Sequence, residues 1–173
     1  MSSDSAIRLR PGRASDIEAV REIERVSADR FRGTPDAWIA DDEPTAPQVL
    51  AERAAQGALI VACEADDAPV ASIIFRPVEA GLYIEQVDVL PSHAGRRIGA
   101  ALIDAVADAA RARGASALTL STFRDVPWNA PWYARLGFQV LDVLTPGLAA
   151  IRAAHEARGL DESRRVFMRR PVL

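Results

Sequence analysis

Val87-Asp88-Val89-Leu90-Pro91-Ser92-His93-Ala94-Gly95-Arg96-Arg97-Ile98-Gly99-Ala100-Ala101-Leu102 is the stretch that decides the fold of this chain. A strand ending in Val-x-Pro enters a short basic turn, and the turn opens onto an alanine-rich amphipathic helix. The first N–H groups of a helix have no intrahelical partners, and the helix dipole is positive at that end, so such a turn is built to hold a phosphate. Gly95 and Gly99 keep the backbone close to the anion, and Arg96 and Arg97 can add charge. The competing reading is purely structural: Gly95 turns the chain and Gly99 lets the helix pack on a strand. A dinucleotide site is a weak rival, because the glycine spacing does not fit G-x-G-x-x-G and the turn lies late in the chain.

Upstream, Ala6 to Arg10 alternates like a strand that Pro11-Gly12 ends. Ser15 and Glu18 have capping-box spacing, and Ile17, Val20, Ile23 and Val26 carry a helix to about residue 30. Residues 31–44 are irregular and acidic, and a helix covers 47–56. Three strands follow at 58–64, 70–78 and 82–90. Downstream of the turn, Ile98, Ala101, Leu102, Ala105, Val106 and Ala109 form the apolar face of a helix over 97–112, with Gly114 as its C-cap. Then come a strand at 117–123, a short helix at 129–136, a strand at 138–144, a helix near 147–158 and a closing strand at 166–170. Strands and helices alternate irregularly, so the fold class is α/β (α+β): a mixed central sheet of about seven strands with helices on both faces.

The chain has 173 residues, enough for one domain with a sizeable core; apolar residues are 49% and charged residues 26%. A net charge of −3 argues against a nucleic-acid footprint. No apolar run reaches membrane-spanning length and no secretory signal pattern marks the first thirty residues, so no membrane role and a cytoplasmic location are expected. The one cysteine, Cys63, lies in an apolar run and reads as a buried, inert thiol; it excludes an internal disulfide and a multi-cysteine metal site. All the basic residues are arginine, a pattern that a GC-rich, bacterial-type genome produces. Without lysine there is no Walker-type phosphate loop and no Schiff-base chemistry.

A second segment, Val126-Pro127-Trp128-Asn129-Ala130-Pro131-Trp132-Tyr133-Ala134-Arg135-Leu136-Gly137-Phe138, follows at the distance of one helix and one strand. Together the two segments resemble the GNAT superfamily of acetyl-CoA-dependent N-acetyltransferases, and the resemblance extends over nearly the whole chain. It implies one domain over 1–173 with a splayed sheet, acetyl-CoA as co-substrate and no metal. The family's cofactor would wedge between the strand ending at Val89 and the strand ending near Phe123. Its pantetheine arm would pair with the backbone of Val87, Asp88 and Val89, and its pyrophosphate would lie on Gly95, Arg96, Arg97, Ile98, Gly99 and Ala100. Asn129 would contact the cofactor, and Tyr133 would be the general acid that protonates the leaving thiolate.

The family pattern of the turn is Gln or Arg, two residues, Gly, one residue, then Gly or Ala. Arg96-x-x-Gly99-x-Ala101 fits it literally, but counting from Val89 and Pro91 places it at Ala94-x-x-Arg97-x-Gly99. In that second register Arg97 stands where glycine is usual and Ala94 where Gln or Arg is usual. The amide cradle is expected to survive both changes, on the view that a residue at a helix start needs no positive φ.

The acceptor is expected to be a small-molecule or peptide amine, attacking directly in a ternary complex. Glu85 is the candidate general base, as a carboxylate inside an apolar strand; its alternative is an arginine-paired carboxylate, and Asp88 competes. His93 reads as positioning or exposed, and His155 as lying on an exposed helix face. Tyr133 could instead be a packing aromatic like Trp128 and Trp132. Asp41, Asp42, Glu43 and Asp125 would favour a cationic acceptor, unless they are simply solvated. Two rival functions stay open: an acyl-CoA-binding sensor without turnover, and an acyltransferase with another acyl donor or acceptor. A homodimer is open as well.

Overall fold

The computed structural model describes residues 6–172; residues 1–5 and 173 of the expected 1–173 domain lie outside the described residues. Seven strands, β1 (Arg8–Pro11), β2 (Leu59–Cys63), β3 (Pro69–Val78), β4 (Gly81–Val89), β5 (Ala117–Phe123), β6 (Gln139–Val140) and β7 (Arg165–Pro171), hydrogen-bond in the order β1-β2-β3-β4-β5-β7-β6. The helices are α1 (Ile17–Ala28), α2 (Pro47–Ala55), α3 (Ile98–Ala112), α4 (Ala130–Arg135) and α5 (Pro146–Ala157). β4 and β5 are parallel, as a strand–helix–strand crossover through α3 requires, and the other pairs whose register is defined are antiparallel. Contacts divide the chain into two compact units, one of residues up to Phe75 with Gln86–Asp104, the other of Arg76–Glu85 with the residues from Ala105 on.

In the first unit, alternate residues of β2, Leu59, Val61 and Cys63, meet Val20 of α1, Leu50 of α2 and Ile74 of β3 in one buried cluster. Each such side chain withdrawn from water is worth about 1.5–3 kcal/mol. Cys63 is fully buried there, and burial pushes its thiol pKa up, as an inert core cysteine requires. The expected Ser15–Glu18 capping box does not form. Ala14–Asp16 is a 3-10 turn, and Asp16 reaches back to accept the Arg13 N–H at 2.7 Å. Asp16 wins because Arg10 grips it through two hydrogen bonds, 2.7 and 3.0 Å, in a buried ion pair with a partner on β1 that the helix pattern does not reveal.

In the second unit, β5 and β7 pair along their full length, from Ala117 with Pro171 to Phe123 with Arg165. Gly81 opens β4 where a Cβ would lie 2.9 Å from the Ala117 carbonyl, so only glycine lets the strands approach there. Tyr83, Leu148, Ile151 and Phe167 form one buried cluster of the core, with Val78, Leu141 and Leu144 packed against it. The strand expected over 138–144 shrinks to Gln139–Val140. Leu141 and Leu144 both turn into the core, a three-residue spacing that a two-residue strand period cannot satisfy. Glu79 caps α5 from a distance, accepting Thr145 Oγ1 at 2.5 Å and the Gly147 N–H at 2.9 Å, and these bonds lower its carboxyl pKa. Among the described residues, no helix is long and apolar enough to cross a membrane.

Candidate active site

In the first unit, β4 ends at Val89, Pro91–His93 makes a 3-10 turn, and α3 begins at Ile98. His93 is partly buried and doubly tied: its Nδ1 meets Ser92 Oγ at 2.9 Å and its Nε2 meets Glu64 at 3.0 Å, which anchors the turn to the end of β2. Gly95 has φ +79° and Arg97 has φ +59°. The expectation that the helix start needs no positive φ is therefore wrong at Arg97. The chain must enter α3 through a left-handed residue, so a side chain there costs about 1–2 kcal/mol relative to glycine. The Arg97 carbonyl still accepts the Ala101 N–H at 3.0 Å, making Arg97 the residue that opens the helix. Arg96, Arg97, Ile98 and Ala101 line a groove of about 570 Å³ with Ala6, Ile7 and Leu9.

The buried carboxyl of β4 is Asp88, 8% exposed, accepting from Gln86 Nε2 at 2.7 Å. Burial, reinforced by the negative charge of Glu24 on α1, pushes its pKa up to about 7. Glu24, 7% exposed, accepts the Thr45 N–H at 2.6 Å, and burial pushes its carboxyl up as well. The sequence reading missed Glu24, although its place four residues after Val20 on the inner face of α1 was a visible signal. Val87 and Val89 flank Asp88 half-buried, with the Val89 carbonyl accepting Ser27 Oγ at 3.0 Å. The acids expected to attract a cation, Asp41, Asp42, Glu43 and Asp125, are all exposed, and two of them pair with arginines: Asp41 with Arg32 at 3.1 Å and Glu43 with Arg21 at 3.6 Å.

In the second unit, Glu85 pairs with Arg76 Nε at 3.1 Å, the arginine-paired alternative. Tyr133 lies half-buried on α4, edge-on to Trp132 at 4.9 Å and to Phe138 at 5.7 Å between ring centroids. Asn129 precedes α4; its side-chain oxygen accepts Thr122 Oγ1 at 2.7 Å, and its carbonyl accepts the Tyr133 N–H at 3.0 Å. Asn129 thus fixes the helix of Tyr133 on β5. Arg170 of β7 holds the other end, donating to the Leu136 carbonyl at 3.1 Å with its guanidinium over the Phe138 ring. His155 is not on an exposed face: it bonds Glu162 at 2.6 Å and stacks on Phe167, and burial lowers its pKa. Glu162 comes from beyond α5, so helical periodicity could not show the contact.

A seven-stranded mixed sheet with five helices in this order is the acyl-CoA N-acyltransferase fold. The family model of the acetyltransferase (GNAT) family matches residues 17–138, so the chain belongs to the GNAT acetyltransferase family. Its fold is similar to that of PaiA N-acetyltransferase from Thermoplasma acidophilum in complex with coenzyme A, with TM-score 0.71 and 15% identity over 96% of this chain and 99% of that one. It is also similar to ribosomal-protein-S18-alanine N-acetyltransferase from Escherichia coli, with TM-score 0.64 and 18% identity over 96% and 94% of the two chains. N-acetylglutamate synthase from Neisseria gonorrhoeae, complexed with coenzyme A and N-acetyl-glutamate, matches 99% of this chain with 36% of its own, at TM-score 0.73 and 16% identity. At these identities the likeness is one of fold.

Proposed function

We propose that the protein moves the acetyl group of acetyl-CoA to an amine acceptor by direct attack, as one GNAT domain. The observation that carries this reading is Arg97 at φ +59° beside Gly95 at φ +79°. A non-glycine residue held left-handed at the start of a 15-residue helix is strain of the kind kept for function. In this reading the N–H groups of the first turn of α3, those of Ile98, Gly99 and Ala100, would cradle the pyrophosphate, with the Arg96 and Arg97 side chains supplying charge. The backbone of Val87, Asp88 and Val89 would carry the pantetheine arm.

Asp88 replaces Glu85 as the base in this reading, because the Glu85 carboxylate is engaged in an ion pair with Arg76 while Asp88 is a buried carboxyl with its pKa pushed up to about 7. The acceptor ammonium gives one proton to the Asp88 carboxylate, directly or through water, and the neutral amine attacks the thioester carbonyl. When the tetrahedral intermediate collapses, the C–S bond breaks and Tyr133 protonates the departing thiolate. The second proton leaving the new amide nitrogen restores the phenol. Asn129 and Arg170 act by holding α4.

Calorimetric titration of acetyl-CoA, followed by a panel of amines assayed for free thiol release, tests the proposal. Binding together with amine-dependent release supports it. Tight binding with no release by any amine makes the protein an acyl-CoA sensor, and no binding removes the phosphate turn.

A further inference from the structure

α1 meets β4 through Ser27, whose hydroxyl donates to the Val89 carbonyl at 3.0 Å. Ser27 lies one turn beyond Glu24 on the same helix face, and Val89 directly follows Asp88. The tie that seats Ser27 on the strand therefore brings the Glu24 carboxylate toward that of Asp88. Both are buried, and each has one oxygen already fixed, Glu24 by the Thr45 N–H at 2.6 Å and Asp88 by Gln86 Nε2 at 2.7 Å. The other charges acting on the pair are Arg30, just beyond α1, on Asp88, and Arg21 of α1 on Glu24. Two like charges withdrawn from water resist being ionised together, so over a range of pH the pair retains a proton.

We propose that Glu24 is a positioning residue that acts through Asp88: its charge, held in place by α1, makes Asp88 a stronger base and sets the acid limb of the pH–rate profile. This rests on Asp88 being the base of the proposed reaction. Strengthening a carboxylate brings it closer to the amine it must deprotonate, while narrowing the pH range in which it is ionised. Removing the Glu24 charge reverses both effects.

The test uses Glu24→Gln, which retains an oxygen for the Thr45 N–H, with Glu22→Gln on the exposed face of α1 as control. Carboxyl-carbon NMR titration of the substrate-free protein, with the Asp88 signal assigned through Asp88→Asn, reads the pair without catalysis. The expected result is an Asp88 midpoint about one pH unit lower in Glu24→Gln and unmoved in Glu22→Gln. With an amine found in the thiol-release screen, kcat/KM of Glu24→Gln at about pH 5.5 should exceed wild type several-fold, and at about pH 8.5 should be equal or a few-fold lower. A gain of activity in acid is something mere structural damage does not produce. An unmoved Asp88 midpoint overturns the inference at the pair itself. A lowered midpoint with an unmoved pH–rate profile overturns Asp88 as the base, and Glu24's part in catalysis with it.

Discussion

Replacing Asp88 with asparagine should make the stability of this protein less dependent on pH, by an amount that follows from its burial. A carboxyl at about 7 in the folded chain, against about 3.9 unfolded, binds its proton more tightly when folded. Its contribution to stability is therefore fully present below about pH 4 and is lost as pH rises through about 7. The whole difference is about 4 kcal/mol, of which about 3 kcal/mol falls between pH 5 and 8.5. The amide of the Asp88→Asn variant still offers an oxygen to Gln86 Nε2 but takes up no proton. Denaturant unfolding of both proteins at several pH values across that range should show the difference, variant minus wild type, rising by up to about 3 kcal/mol toward alkaline pH. A constant offset from an altered hydrogen bond does not matter, since only the slope is read. Parallel stability curves would refute the burial argument for Asp88.

Tyr133→Phe should lower turnover by roughly 10²–10⁴-fold with acetyl-CoA affinity unchanged, and steady-state kinetics showing equal turnover would leave Tyr133 as a packing aromatic. Arg97→Gly should stabilise the fold by about 1 kcal/mol in denaturant unfolding by relieving the left-handed residue, whereas Arg97→Ala, which keeps a Cβ, should not. Gly99→Pro removes one amide donor in the first turn of α3, where proline is tolerated, and should abolish acetyl-CoA binding while circular dichroism stays native. Unchanged calorimetric affinity in that folded variant would sink the amide cradle.

The elements written in local periodicity were legible in the sequence. The helix expected over 97–112 is α3 at Ile98–Ala112, and the strand at 117–123 is β5, because apolar spacing and the flanking glycines encode both. The Val-x-Pro turn was legible from its proline, glycine and arginines, and the Asn-to-Gly-Phe segment from its resemblance to the family. What was not legible depends on contacts between separate elements or on backbone strain. Asp16 rather than Ser15 turns the chain into α1, because Arg10 selects it. Glu85 looks like a desolvated acid until Arg76 is seen beside it, nine residues earlier in sequence and on a neighbouring strand. Arg97 stands where the family pattern has glycine, a sign of a left-handed residue that reading it as an ordinary helix-start residue passed over; its φ is +59°.

The central claim is direct acetyl transfer to an amine, and quantitative mass spectrometry of a reaction with purified protein, acetyl-CoA and a productive amine tests it most directly. The predicted result is one acetylated amine for each free thiol released, with the protein itself carrying no acetyl group at any time point. Thiol release in the absence of amine, or an acetyl group accumulating on the protein before the amine is consumed, would contradict it.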